Sequence, residues 1–317
     1  MHGYVDLVRL LISRGAEVNQ TADDGCSALY AASARGHVEV ARLLVAKGAD
    51  VNETSNEGFS SLYVASSHGN LSVTQLLLAN GADVNGRSND GYTALYVASQ
   101  HGHAKIVSAL LREPTVDANR ATNDGVTPLC AAADKGFVAI VGLLLSHGAD
   151  ANRTASGGRS ALCAASRNGH SEVVRSLLEK GGADVNRAMD VGDTPLHLAA
   201  LTGEVKVVRL LLEKGADVDR ARDNNGATAL HYASCAGRVD VVRLLIGYGA
   251  DARRVDVNGN TPVDLARIRG HRGVVAALTR SPLDELVGED IGFRFVLVRE
   301  ENRTTKKCPR CSRRRRV

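Results

Sequence analysis

The 317-residue sequence has few large aromatic side chains, with no Trp, seven Tyr and four Phe. A core of the size that this length permits usually contains more rings, so the composition favours small-residue packing between repeated elements. No apolar run reaches the length of a membrane span, which predicts that the chain has no membrane partner. The first residues, MHGYVDLVRLL, carry charges where the apolar region of a signal peptide lies, so we expect no secretory signal.

The cysteines and the charges both favour a location inside the cell. Six Cys are scattered through a long chain, a pattern typical of reduced thiols in the cytosol or nucleus. The net charge of +4 belongs entirely to residues 281–317, which hold ten Lys/Arg and six Asp/Glu. The remaining body is neutral, and a neutral body is poorly suited to binding nucleic acid. We predict a cytoplasmic protein, with the basic C-terminus leaving a nuclear location open.

Two residue series recur through the body at intervals of 33 or 34 positions. One is a G-A-D-V-N segment with its variants, as at residues 48–52 and 81–85. The other is a glycine between two apolar segments, found at Gly3, Gly36, Gly69, Gly102, Gly136, Gly169, Gly203, Gly237 and Gly270. Since both series keep the same phase, the body consists of repeated structural units.

Each unit contains the signals of a helix pair. A turn such as NDG is followed by a hydroxyl residue that can cap a helix: Ser27, Ser60, Thr93, Thr127, Ser160, Thr194, Thr228 and Thr261. Pro128, Pro195 and Pro262 come next, where a missing N–H costs nothing at the first helical position. An Ala-rich helix then runs to the turn glycine, and a second helix such as VEVARLLVAKG ends at Gly48 or its equivalent.

The segment GDTPLHLAALTGEVKVVRLLLEKGADVD at residues 192–219 closely resembles the ankyrin repeat family. The resemblance implies an all-α repeat solenoid, a stack of antiparallel helix pairs with hairpin-like loops in which each repeat contacts only its neighbours. It places an ankyrin domain at 24–280 between a partial repeat at 1–23 and a tail at 281–317. Seven full repeats and a capping repeat, numbered 1 to 8 below, lie at 24–56, 57–89, 90–123, 124–156, 157–190, 191–224, 225–257 and 258–280.

The sequence departs from the family pattern in two places. The position that is His in the family motif reads Tyr30, Tyr63, Tyr96, Cys130, Cys163, His197, His231 and Asp264. The usual imidazole hydrogen bond must therefore be replaced or lost in most repeats. The second departure is at the start of the sequence, where residues 1–23 supply a second helix without its first. We therefore expect part of an apolar face to stay uncovered.

Side chains that could carry chemistry follow the repeat period. His37, His103, His170 and His271 each come directly after a turn glycine, where the family commonly has His for structural reasons. Groups that recur at a fixed period serve the architecture rather than converge on one site. Cys130 and Cys163 are best interpreted as small buried hydrophobic residues. We therefore predict no enzyme activity, no cofactor and no small-molecule substrate.

The resemblance implies a protein partner that meets the loop tips and the concave face of the first helices. At those positions the residues vary between repeats, through either partner selection or drift on a solvated surface. Phe59 and Tyr92 are rings on adjacent tips, and with His68, Gln100 and His101 they form a candidate hot spot. Asp134, Lys135, Arg159 and Arg167 are the other candidate partner-binding residues.

The tail holds a predicted strand at 293–298 and eight basic residues from Arg303 onward, a nuclear-import or anionic-surface pattern. Cys308 and Cys311 have the spacing of half a zinc site, and a full site needs two more ligands. We predict no metal site, with zinc held between two copies as the alternative.

The leading interpretation is a protein-binding scaffold or adaptor. The alternatives are a substrate-targeting subunit of a ubiquitin ligase and a nuclear regulator tethered by the basic tail. Both alternatives depend on residues 281–317.

Overall fold

The computed structural model describes residues 2–279, which belong to one compact unit, Met1–Thr279. The predictions made for 293–298 and for Cys308 and Cys311 lie outside these residues. Helices of the described part alternate between two rows. The inner row consists of α2 (Ala28–Ala34), α4 (Ser61–Ser67), α6 (Ala94–Gln100), α8 (Pro128–Lys135), α10 (Ala161–Arg167), α12 (Pro195–Thr202), α14 (Ala229–Cys235) and α16 (Pro262–Ile268). The outer row consists of α1 (His2–Ser13), α3 (Val38–Ala46), α5 (Leu71–Ala79), α7 (Ala104–Leu110), α9 (Val138–Ser146), α11 (Ser171–Glu179), α13 (Val205–Glu213), α15 (Val239–Gly247) and α17 (Arg272–Thr279).

Each inner helix packs on its own outer helix and on the neighbouring inner helices, of which α2 and α16 at the ends of the row have one each. The second residue of the inner helices is a Leu that is almost fully buried in repeats 1 to 7. Burying one such side chain contributes about 1.5–3 kcal/mol. Tyr96 is the one Tyr or Phe side chain in the buried class within the described residues. The predicted all-α solenoid with small-residue packing is therefore confirmed.

The inner helices begin where the hydroxyl residues predict. In seven of the eight, the Ser or Thr oxygen accepts the N–H three residues later, as between Ser27 and Tyr30 at 3.1 Å. In the eighth, the Thr228 hydroxyl lies 2.9 Å from Nδ1 of His231. Losing such a cap costs about 1 kcal/mol. Prolines at the first position of α8, α12 and α16 confirm the other start signal.

The turn glycines allow the next repeat to close over the turn. Gly69 has a φ of 77°, and a Cβ added there would lie 2.9 Å from Cε1 of His103. Nε2 of His103 lies 3.0 Å from the carbonyl oxygen of Ser67 in the preceding repeat. The same link joins His170 to Asp134 and His271 to Cys235. These histidines hold repeats together, as predicted.

The D-V-N loops form a second ladder of hydrogen bonds between repeats. Nδ2 of Asn19 donates to the Gly48 carbonyl at 3.0 Å, and Oδ1 of Asn19 accepts the Asp50 N–H at 2.8 Å. Equivalent bonds are made by Asn52, Asn85, Asn119, Asn152 and Asn186. Repeat 6 has Asp219 at this position, which accepts from the Asp251 N–H but carries no amide to donate.

The family His position behaves differently along the stack. In repeat 6, Nδ1 of His197 accepts the Thr194 N–H at 3.1 Å, so the neutral ring donates from Nε2, to the Ala227 carbonyl at 3.2 Å. His231 makes the same pair of bonds in repeat 7, and Asp264 replaces the cap in repeat 8. No side chain in repeats 1 to 5 bonds its own capping residue's N–H in this way. The bond to the capping residue is therefore lost in these repeats, whereas in repeat 4 the Cys130 thiol replaces the bond to the next repeat, at 3.8 Å from the Arg159 carbonyl.

The loops contain little regular strand. In the described residues one hairpin is formed, by β1 (Thr154–Ala155) and β2 (Arg159–Ser160), in which Ala155 pairs with Arg159. Gly157 and Gly158 turn this hairpin with φ of 78° and 73°. Repeats 1 and 2 begin with single antiparallel bridges instead.

At the N-terminal end, α1 packs on α3. Tyr4, Leu7, Leu10 and Leu11 are 50–62% exposed on it. His37 stacks on Tyr4 with ring centroids 5.6 Å apart. No helix in the described residues has the length and apolar character that a membrane crossing needs.

Candidate protein-binding face

The side of the inner helices that faces away from the outer row is open to solvent and is called here the inner face. In α12 only Leu198, Leu201 and Thr202 keep any exposure, while the rest of the helix is buried. Residues three and four apart share one side of a helix, so the fourth residue and the last residues of each inner helix line this face. The fingertips, the turns before each capping hydroxyl, border it.

An aromatic cluster of Phe59, Tyr63, Tyr92 and Tyr96 lies where the fingertips of repeats 2 and 3 meet the inner face. The rings of Phe59 and Tyr63 stack at 4.5 Å between centroids, and Tyr92 lies 5.1 Å from Tyr96. Tyr63 and Tyr92 also pack against the buried cluster of Tyr96, Val97 and Ala131, which joins the two pairs. Such pairs add about 0.5–1.5 kcal/mol beyond burial. Phe59 and Tyr92 stay half-exposed, so the cluster is preformed and still accessible.

The remaining hot-spot candidates lie at the ends of α4 and α6. His68 is exposed, and its Nδ1 bonds the Val64 carbonyl of its own helix at 2.9 Å. Nδ1 of His101 lies 3.0 Å from the Ser67 carbonyl, so this exposed ring bridges repeats 2 and 3. Gln100 is half-buried beside it. The two histidine rings are therefore held in place by the framework rather than free in solvent.

A depression of about 150 Å³ opens between α6, α8 and α10. Four of the predicted residues line it, namely Gln100, Asp134, Lys135 and Arg159, together with Tyr96. The β1–β2 hairpin places Arg159 at its rim. Arg167, at the end of α10, is exposed and does not line the depression.

The depression has more free hydrogen-bond donors than acceptors. Burial raises the pKa of Tyr96 to about 12, so its hydroxyl stays protonated. Lys135 pairs with Asp134 at 3.5 Å, and Asn168 also donates to that carboxylate at 3.1 Å. The Arg159 guanidinium makes no salt bridge or hydrogen bond with the described residues. Its donors are available to a ligand.

The buried thiols are poor nucleophiles. Burial raises the pKa of Cys130 to about 12 and also raises that of Cys163. All four cysteines of the described part are free thiols, and Cys130 and Cys163 are buried as predicted. Within residues 2–279 no cluster of three or more His, Cys, Asp or Glu side chains has the arrangement of a metal site.

Sequence reasoning missed two parts of the inner face. The sequence assigns Tyr63 and Tyr96 to the framework because they occupy the family His position, although each contacts the ring of its own fingertip. The second is an aliphatic stripe in repeats 6 to 8, defined by Leu198, Leu201, Leu265 and Ile268, of which Leu201 is 41% and Ile268 69% exposed. Apolar residues at the ends of α12 and α16 were the signal for it.

Tyr232 and Cys235 of α14 lie between the two halves of the aliphatic stripe. The Tyr232 hydroxyl donates to Oδ1 of Asp193 at 2.6 Å, and Nε of Arg222 lies 3.3 Å from the same oxygen. Both partners of that ion pair are largely buried, so this fingertip is fixed. Its charges are paired, and the stripe beside it is apolar.

Comparison with protein-family models gives matches along the whole described part. A model described as ankyrin repeats in three copies matches residues 1–88, 80–155 and 153–222. A second, described as ankyrin repeats in many copies, matches residues 203–246 and 234–279. No curated protein matches the chain. Ankyrin repeats are in general protein–protein interaction modules, and these matches cover most of the sequence. The chain belongs to the ankyrin repeat family.

Proposed function

We propose that the inner face of repeats 2 to 5 binds a protein partner and that the chain acts as a non-enzymatic scaffold or adaptor. The observation that carries this proposal is the half-exposed aromatic cluster, since it concentrates four of the eleven Tyr and Phe side chains in adjacent repeats. Interface energy is dominated by a few aromatic and Arg side chains, and both are present here.

The distribution of reactive groups supports a role in binding rather than catalysis. His103, His170 and His271 are engaged in hydrogen bonds between repeats, His37 stacks on Tyr4, and His197 and His231 are buried caps. The two buried thiols have raised pKa values and stay protonated at neutral pH. The Ser67 and Ser146 hydroxyls lie 3.4 and 3.2 Å from Nδ1 of His101 and His147. Each of these Nδ1 atoms also bonds a backbone carbonyl and so carries the proton there, which makes it a poor general base for the hydroxyl.

The experiment compares partner binding by the wild-type chain and by a Phe59→Ala/Tyr92→Ala double variant. Partners captured from cells with the full chain are purified, and their affinity is measured by calorimetry. We expect the double variant to bind at least tenfold more weakly, while its melting curve stays cooperative.

Tyr248→Ala is the matched control, because Tyr248 is an exposed ring beyond the end of an outer helix. It should leave affinity unchanged. Equal affinity of the double variant and the wild type would contradict the proposal.

The ubiquitin-ligase and nuclear-regulator alternatives depend on residues 281–317. A cytoplasmic location, or a nuclear one directed by the basic C-terminus, is likewise a proposal. Deleting 281–317 separates the three roles. A plain scaffold keeps its partner, a targeting subunit loses partner ubiquitination, and a tethered regulator leaves the nucleus.

A further inference from the structure

The depression lined by Tyr96, Gln100, Lys135 and Arg159 has the chemistry of a site for an acceptor group. The Tyr96 hydroxyl, the Gln100 amide and the Arg159 guanidinium all donate hydrogen bonds. None of these three groups has a side-chain partner in the described residues. An Arg fork with neighbouring donors is the arrangement that binds a carboxylate in two parallel hydrogen bonds.

The charge at the rim favours a ligand with one negative charge. Arg159 and Lys135 contribute two positive charges, and Asp134 adds one negative charge at the same rim. The net charge of the rim is therefore +1, which matches a carboxylate better than a dianionic phosphoryl group, since Asp134 would repel the second negative charge. The lining residues Val126, Ala131 and Ala164 are apolar and would contact the stem of a Glu or Asp side chain.

The aliphatic stripe continues the same face toward the C-terminal end. Neighbouring inner helices pack with axes about 8–10 Å apart. An extended peptide rises about 3.3 Å per residue, so roughly three residues span one repeat. Leu198 and Leu201 lie on α12, the next inner helix after α10. A peptide that reaches them from the depression needs three to five residues.

We propose that the partner presents an extended segment in which an Asp or Glu enters the depression and an aliphatic residue three to five positions away packs on Leu198 and Leu201. This inference rests on the proposed function and names the chemistry of the partner. Arg159 then selects the acidic side chain of the partner. The aliphatic stripe sets the number of residues between that side chain and the aliphatic one.

The test uses a phage library of random twelve-residue peptides selected on the full chain, with selected peptides then synthesised for affinity measurement. We expect enrichment of an acidic residue followed or preceded at that spacing by Leu, Ile or Val. Replacing the acidic residue of a selected peptide by its amide should weaken binding at least tenfold, as should Arg159→Ala. Arg159→Glu should select peptides with Arg or Lys at the same position.

Arg175→Ala is the matched control, because Arg175 is an exposed Arg of the same repeat on outer helix α11. It should bind the selected peptides as the wild type does. Selected peptides without an acidic preference, or with unchanged affinity for Arg159→Ala, would overturn the inference. So would a selection that yields no peptide, or peptides that bind equally well after Leu201→Ser.

The two proposals fail separately. If a captured partner depends on Phe59 and Tyr92 but not on Arg159, the acidic-peptide inference is wrong and the proposed function stands. If the partner depends on none of these three residues, the inner face is not the binding surface and both are wrong.

Discussion

Repeats 1 to 3 and repeats 6 and 7 use the same helix position in opposite ways. In repeats 6 and 7, His197 and His231 face inward and bond the backbone of their own cap and of the next fingertip. In repeats 1 to 3 the residue is Tyr, which has no matching bond. In repeats 2 and 3 it contacts a fingertip ring instead, stacked in repeat 2 and tilted by 41° in repeat 3. One region uses the position to join repeats, and the other uses it to build a surface.

The surfaces of the two regions differ accordingly. The N-terminal region presents rings and polar side chains, and the C-terminal region presents the aliphatic stripe beside a closed Asp193–Arg222 ion pair. A shared backbone framework therefore leaves the inner face free to vary along its length, since the links between repeats need only a few fixed residues.

The largest effect is expected from removing one linking histidine. His197→Ala should lower the free energy of unfolding by about 2–4 kcal/mol, because it leaves the Thr194 N–H and the Ala227 carbonyl unpaired in a buried site. Urea unfolding followed by circular dichroism measures it. His147→Ala, at an exposed helix end, should stay within about 0.5 kcal/mol of wild type. A similar loss of stability in both variants would show that the buried hydrogen bonds of His197 contribute no more than an exposed histidine does.

The same histidines should make stability depend on pH. Burial lowers the pKa of His197 and His231 from the usual 6.5, so the unfolded chain binds protons more readily than the folded one. The free energy of unfolding should therefore be highest above pH 6.5 and should fall as the pH decreases below it. Unfolding curves between pH 5 and 8 check this. A His197→Gln/His231→Gln variant should show a shallower slope, and an unchanged slope would contradict the assignment.

A smaller effect, of opposite sign, is expected in the N-terminal repeats. The hydroxyls of Ser33 and Ser66 are buried without a hydrogen-bond partner, as are those of Ser166 and Ser234 at the same position of repeats 5 and 7, while repeats 4 and 6 have Ala133 and Ala200 there. Ser66→Ala should stabilise the fold by about 1 kcal/mol, because a buried polar group without a partner costs about 1–3 kcal/mol. Thermal unfolding measures the change. Ser99→Ala is the control, since Ser99 already bonds the Leu95 carbonyl at 2.7 Å and should gain nothing.

The smallest effect should come from completing the loop ladder in repeat 6. Asp219→Asn supplies the amide that the equivalent Asn residues donate to the next repeat, where Gly249 holds the matching carbonyl. We expect a gain of about 0.5–1 kcal/mol in the free energy of unfolding. Hydrogen exchange of repeat 7 amides should slow with it. Asp217→Asn is the control. Asp217 lies two residues earlier in the same loop, outside the position from which the Asn residues donate, so this change should give no such protection.

The fold could be predicted from the sequence because its determinants are local. A capping hydroxyl, a turn glycine and an Ala-rich segment act within a few residues of one another, and their 33-residue spacing repeats them along the chain. The individual candidates on the inner face could be named for the same reason, since the repeat assigns each position to a side of a helix.

The grouping of those candidates could not be predicted. Gln100, Lys135 and Arg159 line one depression although they belong to three repeats, and Arg167 does not join them. Which side chains share a depression depends on how neighbouring inner helices pack, which the sequence of one repeat does not contain. The stacking of Phe59 on Tyr63 could not be predicted either, because the family pattern assigns a framework hydrogen bond to the position of Tyr63.

The central claim, that the inner face is the binding surface, is tested most directly by site-specific photo-crosslinking in cells. A photoreactive phenylalanine is placed at His101 on the inner face or at Gln75 on outer helix α5, both exposed positions in neighbouring repeats. The yield of crosslinked partner is then measured on denaturing gels. We predict a discrete adduct from position 101 that is absent from position 75. An adduct from position 75 alone would contradict the account.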